Sequence, residues 1–200
     1  MNIYFDSRSF IYNDKNCIAK DEILKEVEAK LDKQRFEHVK SVALLCYKIA
    51  VSNKLDNPLR YYFAGLVHDI AKNMDKNSEV IDKYLNEYEK SFPKYCLHQF
   101  LAPYIIKEIF SLNDKEILDA VKYHCSGKPN MSIMAKIVYA SDKIDPLRGY
   151  DSKDMIDAMM KDYESGFIYV LKENKKFIES KSKQENFNIL SDECFKFYLG

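Results

Sequence analysis

Turn-forming residues are scarce in this chain, which has only 5 glycines and 5 prolines among its 200 residues. Folds built from many β-strands need such residues at their frequent turns, so their scarcity argues against that class. The hydrophobic content is 46%, and at this length it suffices to bury a sizeable core within one domain. The composition therefore favours a single-domain, all-α protein.

An excess of charge of either sign is also missing, because 31 Lys and Arg residues balance 31 Asp and Glu residues. The chain thus has no global electrostatic field that would draw it to a polyanion. It also has no apolar run that approaches the roughly 18 residues of a membrane span. We therefore expect neither nucleic acid nor a membrane as a partner.

The cysteines lack any pairing pattern. They form no CxxC pair and no zinc-ribbon spacing, and they are Cys17, Cys46, Cys96, Cys125 and Cys194. An odd, scattered set fits a reducing cytoplasm better than a disulfide framework. The first ten residues are polar and mixed, unlike a signal peptide. We expect a soluble cytoplasmic protein.

Helical periodicity begins at Asp21, where Ile23, Val27 and Leu31 form one apolar stripe. Residues 1–20 show little periodicity and predict an irregular lead-in, whereas residues 21–200 predict one helical domain with a C-terminal helical extension. Three helices are expected to start near residues 21, 35 and 58. Further helices are expected over residues 79–90, 98–110, 116–124, 132–142, 155–174 and 191–198. Pro103 should kink or break the helix over residues 98–110. A lysine-rich connector separates the last two helices.

All four histidines fall in or beside these apolar helical segments, and they are His38, His68, His98 and His124. A single histidine on such a face is more often a hydrogen-bonded core residue than a ligand. The joint pattern with Asp69 and Asp142 is different, because buried carboxylates and imidazoles cost several kcal/mol unless their charges are compensated. A metal ion supplies that compensation. The alternative is that the four histidines are ordinary core residues whose ring nitrogens are all hydrogen-bonded within the protein.

The proposed ligands form a mixed nitrogen and oxygen set, made of His38, His68, Asp69 and Asp142. Such a set suits one or two ions of Fe, Mn or Zn, and it is too rich in nitrogen for Ca or Mg. His98 and His124 suit the same metal or the substrate beside it. Lys72 and Arg148 follow the ligands by a few residues and would neutralise phosphate oxygens.

Four segments resemble the HD-domain metal-dependent phosphohydrolases, whose pattern is an isolated His, a His-Asp pair and a distant Asp. Within that group the chain is most similar to the bacterial enzymes that cleave diadenosine tetraphosphate symmetrically. The segments are Arg35-Phe36-Glu37-His38, His68-Asp69-Ile70-Ala71-Lys72, Leu97-His98, and the long run from Tyr123 to Arg148. The similarity covers about residues 20–170 and implies a single, phosphodiesterase-like HD helical bundle.

The resemblance implies an iron-dependent enzyme that splits the tetraphosphate into two ADP. His38, His68, Asp69 and Asp142 would bind the metal, and Asp69, His98 and His124 would be catalytic. The implied substrate-binding residues are His38, Asp69, Lys72, His98, His124, Cys125, Asp142 and Arg148. The chain departs from the family at Cys125-Ser126, where two hydroxyl residues are usual, at Lys143, where an aromatic is common, and at Asp145, where Glu is common.

Two other functions are compatible with the same residues. One is HD phosphohydrolase activity on another nucleotide, and the other is a non-catalytic nucleotide-sensing module. The sequence also allows a homodimer through apolar residues between 187 and 197, if these are exposed.

Overall fold

A computed structural model describes residues 1–74, 77–180 and 188–200. Within these ranges the fold is all-α, as predicted, and consists of eleven helices and one small sheet. The helices are α1 (Asp21–Glu28), α2 (Lys33–Ser52), α3 (Pro58–Val67), α4 (Ser78–Tyr84), α5 (Glu87–Lys90), α6 (Leu97–Phe110), α7 (Lys115–Lys122), α8 (Ile133–Ile144), α9 (Lys153–Lys161), α10 (Tyr163–Ser180) and α11 (Ile189–Leu199), and the strands are β1 (Phe10–Asn13) and β2 (Asn16–Ala19).

The prediction of an irregular lead-in is wrong over residues 10–19, where β1 and β2 form an antiparallel hairpin with Phe10 opposite Ala19. Buried and exposed side chains alternate on β2, but β1 buries only Phe10, and strands of four residues are too short for periodicity to register. Phe10 is buried, and its ring lies edge-on to Tyr62 at 5.9 Å. The Tyr47 hydroxyl donates to the Asn13 carbonyl oxygen at 2.6 Å. The hairpin is thus anchored on α2 and α3.

Helices α2 and α3 pack closely against each other at the centre of the core. A Cβ atom built on Gly65 would lie 2.8 Å from the Ala43 Cα atom, so only glycine permits this approach. The side chain of Asp32 begins α2 by accepting a hydrogen bond from the Arg35 backbone N–H. This pair of helices sets the distance between His38 on α2 and His68, which follows α3.

Two predicted helices are each divided in the structure. The Asn86 side chain caps α5 in a reciprocal box with Glu89, which separates α5 from α4. The Asp162 carboxylate accepts from the Ser165 backbone N–H at 2.8 Å, and Asp162 itself has extended backbone between α9 and α10. By contrast, α6 is not divided at Pro103. The hydrogen bonds at Asn86 and Asp162 thus divide helices that the apolar periodicity alone predicts to be continuous.

The C-terminal helix α11 packs beneath the loop that follows α7. Its capping residue is Asn188, whose side chain accepts from the Ser191 backbone N–H. Residues 181–187 lie outside the described residues. They include part of the predicted lysine-rich connector and Phe187, which belongs to the predicted dimer surface. Ile189 and Phe197 are exposed, and the homodimer stays a prediction. None of the helices in the described ranges is long and apolar enough to cross a bilayer.

Candidate metal centre

The fold brings all six predicted His and Asp residues to one buried place. They are His38 on α2, the pair His68-Asp69 just after α3, His98 in the first turn of α6, His124 just after α7, and Asp142 in the last turn of α8. Each is at most 7% exposed. The prediction that α7 extends to residue 124 is wrong, because α7 ends at Lys122 and leaves His124 in the following turn.

These side chains form two groups of potential ligand atoms in which every atom lies within 4.8 Å of the others. The first group contains His38, His68 and Asp142, and the second contains His68, Asp69 and His124. His68 belongs to both groups. The arrangement therefore offers two adjacent positions for a cation, and Nε2 of His68 can serve either one but not both at once.

Backbone carbonyl groups fix the orientation of two of the imidazoles. The Nδ1 atom of His68 lies 2.7 Å from the Gly65 carbonyl oxygen, and Nδ1 of His124 lies 2.7 Å from the Val121 carbonyl oxygen. A carbonyl only accepts, so each Nδ1 carries a hydrogen and donates it. In the neutral rings, Nε2 is therefore left with a lone pair, which is the form that binds a metal.

His38 is oriented by a carboxylate that the sequence did not assign to the site. Its Nδ1 atom donates to Asp145 at 2.6 Å, and the Ser41 hydroxyl donates to the other oxygen of Asp145 at 2.5 Å. Burial opposes the ionisation of Asp145, but the hydrogen bonds from His38 and Ser41 hold its pKa below the usual range. Nε2 of His38 faces Asp142 at 3.2 Å.

Two buried polar atoms at the centre of this cluster lack a hydrogen-bond partner among the described residues. They are Nε2 of His68 and Oδ1 of Asp69, although Nε2 of His98 and of His124 approach the latter to 3.1 Å and 3.3 Å without forming a hydrogen bond. Leaving such atoms unsatisfied costs about 1–3 kcal/mol each. Both carry lone pairs, and both belong to the group that contains His124. The donor set thus fits a transition-metal cation, which would satisfy both atoms at once.

Asp69 is held from several sides. The Arg35 guanidinium donates to its Oδ2 atom at 2.8 Å, and Nε2 of His98 and of His124 lie 3.1 Å and 3.3 Å from its Oδ1 atom. Burial opposes the ionisation of Asp69, but its contacts with His68, His124 and His98 hold its pKa well below the usual range. Asp69 is therefore an anion in the folded protein.

Asp142 is compensated by two cations from its own segment of chain. Nζ of Lys143 lies 2.8 Å from one carboxylate oxygen, and the Arg148 guanidinium donates to the other. Burial opposes the ionisation of Asp142, but the charges of Lys143 and Arg148 hold its pKa well below the usual range. Both cations thus lie at the edge of the ligand cluster.

His98 differs from the other imidazoles in its hydrogen bonding. Nζ of Lys72 lies 3.1 Å from its Nδ1 atom. A lysine ammonium donates and cannot accept, so Nδ1 accepts this bond and the neutral ring carries its proton on Nε2. That Nε2 atom faces His124 Nε2 at 3.2 Å as well as Asp69. His98 is therefore set up as a donor and not as a lone-pair ligand.

The imidazoles also differ in acidity. Burial disfavours the charged form of His38, but hydrogen bonds to Asp142 and Asp145 raise its pKa to about 9. Burial lowers the pKa of His124 to about 4, against the attraction of Asp69. At neutral pH and without an ion, His38 holds a proton between two carboxylates whereas His124 is neutral.

The structure also places the remaining predicted residues. Lys72 lies beside His98, and Arg148 contacts Asp142, as described above. Cys125 lies half-buried in a cleft shared with Lys143 and Arg148. Burial raises the pKa of its thiol, so a thiolate at this position is disfavoured.

Sequence reasoning missed three residues of the centre, namely Arg35, Lys143 and Asp145. Each had a usable signal: Arg35 is one helical turn before His38, and the other two follow Asp142 by one and three residues. They were passed over because charged residues at such positions usually face solvent.

Comparison with known proteins places this centre within a described family. The model of the HD domain matches residues 35–147, more than half of the chain. A Bacillus subtilis protein named bis(5'-nucleosyl)-tetraphosphatase, symmetrical, is 26% identical over 172 residues, which cover 78% of this chain and 90% of that protein.

Two further proteins are similar to the chain. A Mycoplasma genitalium protein named probable nicotinate-nucleotide adenylyltransferase/Ap4A hydrolase is 32% identical over 63% of this chain, and the matched region spans 36% of its own length. A crystal structure from Clostridium acetobutylicum, described as a predicted HD superfamily hydrolase involved in NAD metabolism, superposes with a TM-score of 0.76. It is 25% identical and covers 90% of this chain and 96% of its own. The helical fold expected from the sequence is thus confirmed.

Proposed function

The chain belongs to the HD-domain family of hydrolases, and from this premise we propose that it cleaves diadenosine tetraphosphate symmetrically into two ADP. The relatives named symmetrical bis(5'-nucleosyl)-tetraphosphatase support this substrate. The observation that carries the proposal is the pair of buried ligand groups that share His68 and lie beside two cations, Lys143 and Arg148. Such a site combines metal ligands with positive charge for a polyphosphate.

We assign His38, His68, Asp69 and Asp142 as metal ligands, with iron as the expected ion and manganese or zinc as alternatives. When bound, the ion supplies Lewis acidity that polarises phosphoryl oxygens and lowers the pKa of water. Oriented Nε2 lone pairs of His68 and His124 support this assignment. His124 extends the set if two ions are present, and in a site with one ion it faces the phosphates.

Phosphate oxygens would be bound by Lys72, Lys143 and Arg148. In the absence of an ion, Lys143 and Arg148 compensate Asp142. A metal at Asp142 would take over that compensation, so both cations would then have charge to share with phosphate oxygens. Arg148 can approach a phosphate through two N–H groups at once, and Lys143 acts as a point charge.

Proton transfer would be divided between an aspartate and a histidine. Asp69, held by Arg35, would orient the attacking water toward an internal phosphorus. His98 would pass its Nε2 proton to the bridging oxygen of the leaving ADP and take one at Nδ1 from Lys72, so that its ring stays neutral. Cys125 lies near the phosphate positions, but it offers no hydroxyl, so its contribution would be shape and not a strong hydrogen bond.

The test is identification of the products formed by the metal-loaded protein. We expect ADP as the sole product from diadenosine tetraphosphate, and an Asp69→Asn variant that binds ADP but turns over at least about 100-fold more slowly. Formation of AMP and ATP, or faster hydrolysis of a nucleoside mono- or triphosphate in a parallel panel, would contradict the assignment. Retained nucleotide binding without turnover in the wild type would instead indicate a sensing module.

A further inference from the structure

Arg148 lines the cleft that holds Cys125 and two further clefts beside the metal centre. The charged cleft, of about 770 Å³, is lined by Lys33, Arg35, Glu37 and His38 together with Leu147 and Arg148. The apolar cleft, of about 560 Å³, is lined by Ile144, Tyr150, Met155 and Val170 together with Lys143 and Arg148. Both volumes are within the range of small-molecule sites.

The same cations join each cleft to the centre. Arg148 lines both clefts and contacts Asp142, and Lys143 lines the apolar cleft and lies 2.8 Å from the same carboxylate. A phosphate chain held by these two residues would therefore have one end at each cleft. A dinucleotide with a phosphate bridge has two nucleosides to place, one on each side.

The apolar cleft has the chemistry of a base-binding pocket. Tyr150 is 47% exposed, which leaves a large part of its ring available for stacking. Asn174 lines the same cleft, and its amide donates to the buried hydroxyl of Tyr139 at 2.8 Å. That bond fixes the carboxamide, whose second N–H and oxygen match the adenine edge. The cleft therefore suits a nucleotide, because the cations at one end can bind the phosphates and the apolar walls beyond them can contact the base.

The charged cleft has different chemistry. None of its described lining residues is Phe, Tyr or Trp, the imidazole of His38 is assigned to the metal, and its apolar member, Leu147, is 60% exposed. A nucleoside there would exchange water for exposed charged side chains, which contributes little to affinity. The two arms of a symmetrical substrate would thus meet unequal surroundings.

We propose that the apolar cleft binds one adenosine of the dinucleotide by stacking on Tyr150, while the second nucleoside lies in the charged cleft and adds little affinity. The inference rests on the proposed function for the identity of the substrate. In this arrangement only the nucleoside in the apolar cleft is selected by its base. The protein should therefore recognise adenosine 5'-phosphates that lack a second nucleoside.

The first experiment compares equilibrium binding of ADP and of pyrophosphate to the metal-loaded protein. Tyr150→Ala should weaken ADP binding about tenfold, the size of one lost base–aromatic contact, and leave pyrophosphate binding unchanged. Tyr150→Phe should restore ADP binding, because it keeps the ring. Tyr88→Ala removes a tyrosine that is 61% exposed and lines neither cleft, so it should bind both ligands as the wild type does. Unchanged ADP binding in Tyr150→Ala would overturn the proposal.

The second experiment uses the Asp69→Asn variant, which should not consume the substrate during the measurement, and compares adenosine 5'-tetraphosphate with diadenosine tetraphosphate as competitors of ADP. We expect affinities within about threefold of each other, and a loss of more than about tenfold without the second nucleoside would overturn the unequal arrangement. Neither experiment needs turnover. A wild-type protein that binds ADP through Tyr150 but cleaves no dinucleotide would therefore contradict the proposed function alone.

Discussion

Asp145 sets the orientation of His38 without belonging to either ligand group. Because its carboxylate accepts from Nδ1 of His38 at 2.6 Å, the opposite nitrogen is directed at Asp142 and at the expected ion. Partners of this kind typically change metal affinity by about 10–100-fold. We expect Asp145→Ala to lower metal affinity by that factor, as measured by competition with a chromogenic chelator.

Asp145→Glu is the matched control, because it restores a carboxylate acceptor for the imidazole. It should recover most of the affinity lost in Asp145→Ala. Wild-type affinity in Asp145→Ala would show that the carboxylate only fills space between α2 and α8.

The proton on His38 competes with metal in a defined pH range. In the ion-free protein the pKa of His38 is raised to about 9, since its imidazolium lies between Asp142 and Asp145. Metal must displace that proton from Nε2, so affinity should rise with pH until it levels off near 9. Calorimetric titrations at pH 7.5 in buffers of different ionisation enthalpy should detect about one proton released for each ion bound at His38. His38→Gln should release none from this position.

The same shift predicts how the stability of the metal-free protein depends on pH. The folded state holds the His38 proton more tightly than the unfolded state, whose imidazole has a pKa near 6.5. This contribution is complete below pH 6.5 and is lost as pH rises through about 9. Urea unfolding of the chelator-treated protein should show a loss of about 3 kcal/mol between these limits. A His38→Gln variant with the same slope would contradict this account.

At the scale of elements, the contact of α2 with α3 determines whether His38 and His68 share an ion. A methyl group on Gly65 would lie 2.8 Å from a backbone atom of Ala43, which cannot move aside alone. We expect Gly65→Ala to separate the helices and lower the free energy of unfolding by about 1–3 kcal/mol. Metal affinity should fall in the same variant. If the variant is less stable but binds metal as tightly as the wild type, the spacing of α2 and α3 does not control the metal site.

The elements predicted correctly from the sequence were those with strong periodicity and a chemical start signal. Pro58 at the start of α3 and Ser132 before α8 are such signals; His68-Asp69 directly follow the first of these helices, and the second carries Asp142. The hairpin and the division between α9 and α10 were missed, because each depends on side-chain hydrogen bonds over three or four residues. Local caps of this kind are weak in a pattern search but decide where backbone groups are satisfied.

At the scale of the whole molecule, the C-terminal helix supports the loop that carries His124. Gly127 has a φ of +70°, and a Cβ atom there would lie 2.6 Å from Sγ of Cys194 on α11. The Tyr198 hydroxyl accepts from the Met131 backbone N–H at 2.6 Å at the far end of the same loop. We expect Tyr198→Phe to cost about 1–2 kcal/mol in urea unfolding, since it leaves that N–H without its acceptor.

Tyr169→Phe is the control for that substitution, since Tyr169 is a 39% exposed tyrosine on α10. Its free energy of unfolding should match that of the wild type. An equal loss in both variants would mean that the Tyr198 hydroxyl contributes nothing specific to the loop.

The sequence predicted the acids and imidazoles of the centre and Arg148, but not Arg35, Lys143 and Asp145, which also compensate their charges. His38, His68, Asp69 and Asp142 stood out because such residues are unusual beside apolar helical segments. Arg35 and Lys143 did not, because lysine and arginine are common on every helix surface. Their role depends on which helix ends meet in space, and a local sequence pattern does not show this. Arg35, for example, contacts Asp69, which is more than 30 positions away along the chain.

The contact between His38 and Asp145 joins residues 107 positions apart. Closing a segment of that length is entropically costly, so this contact forms only when most of the chain has already condensed. The unfolded chain therefore offers no assembled ligand set, and ion binding stabilises the native state alone. Ion release on dilution into denaturant should accordingly coincide with unfolding, which makes retained metal a reporter of the folded population.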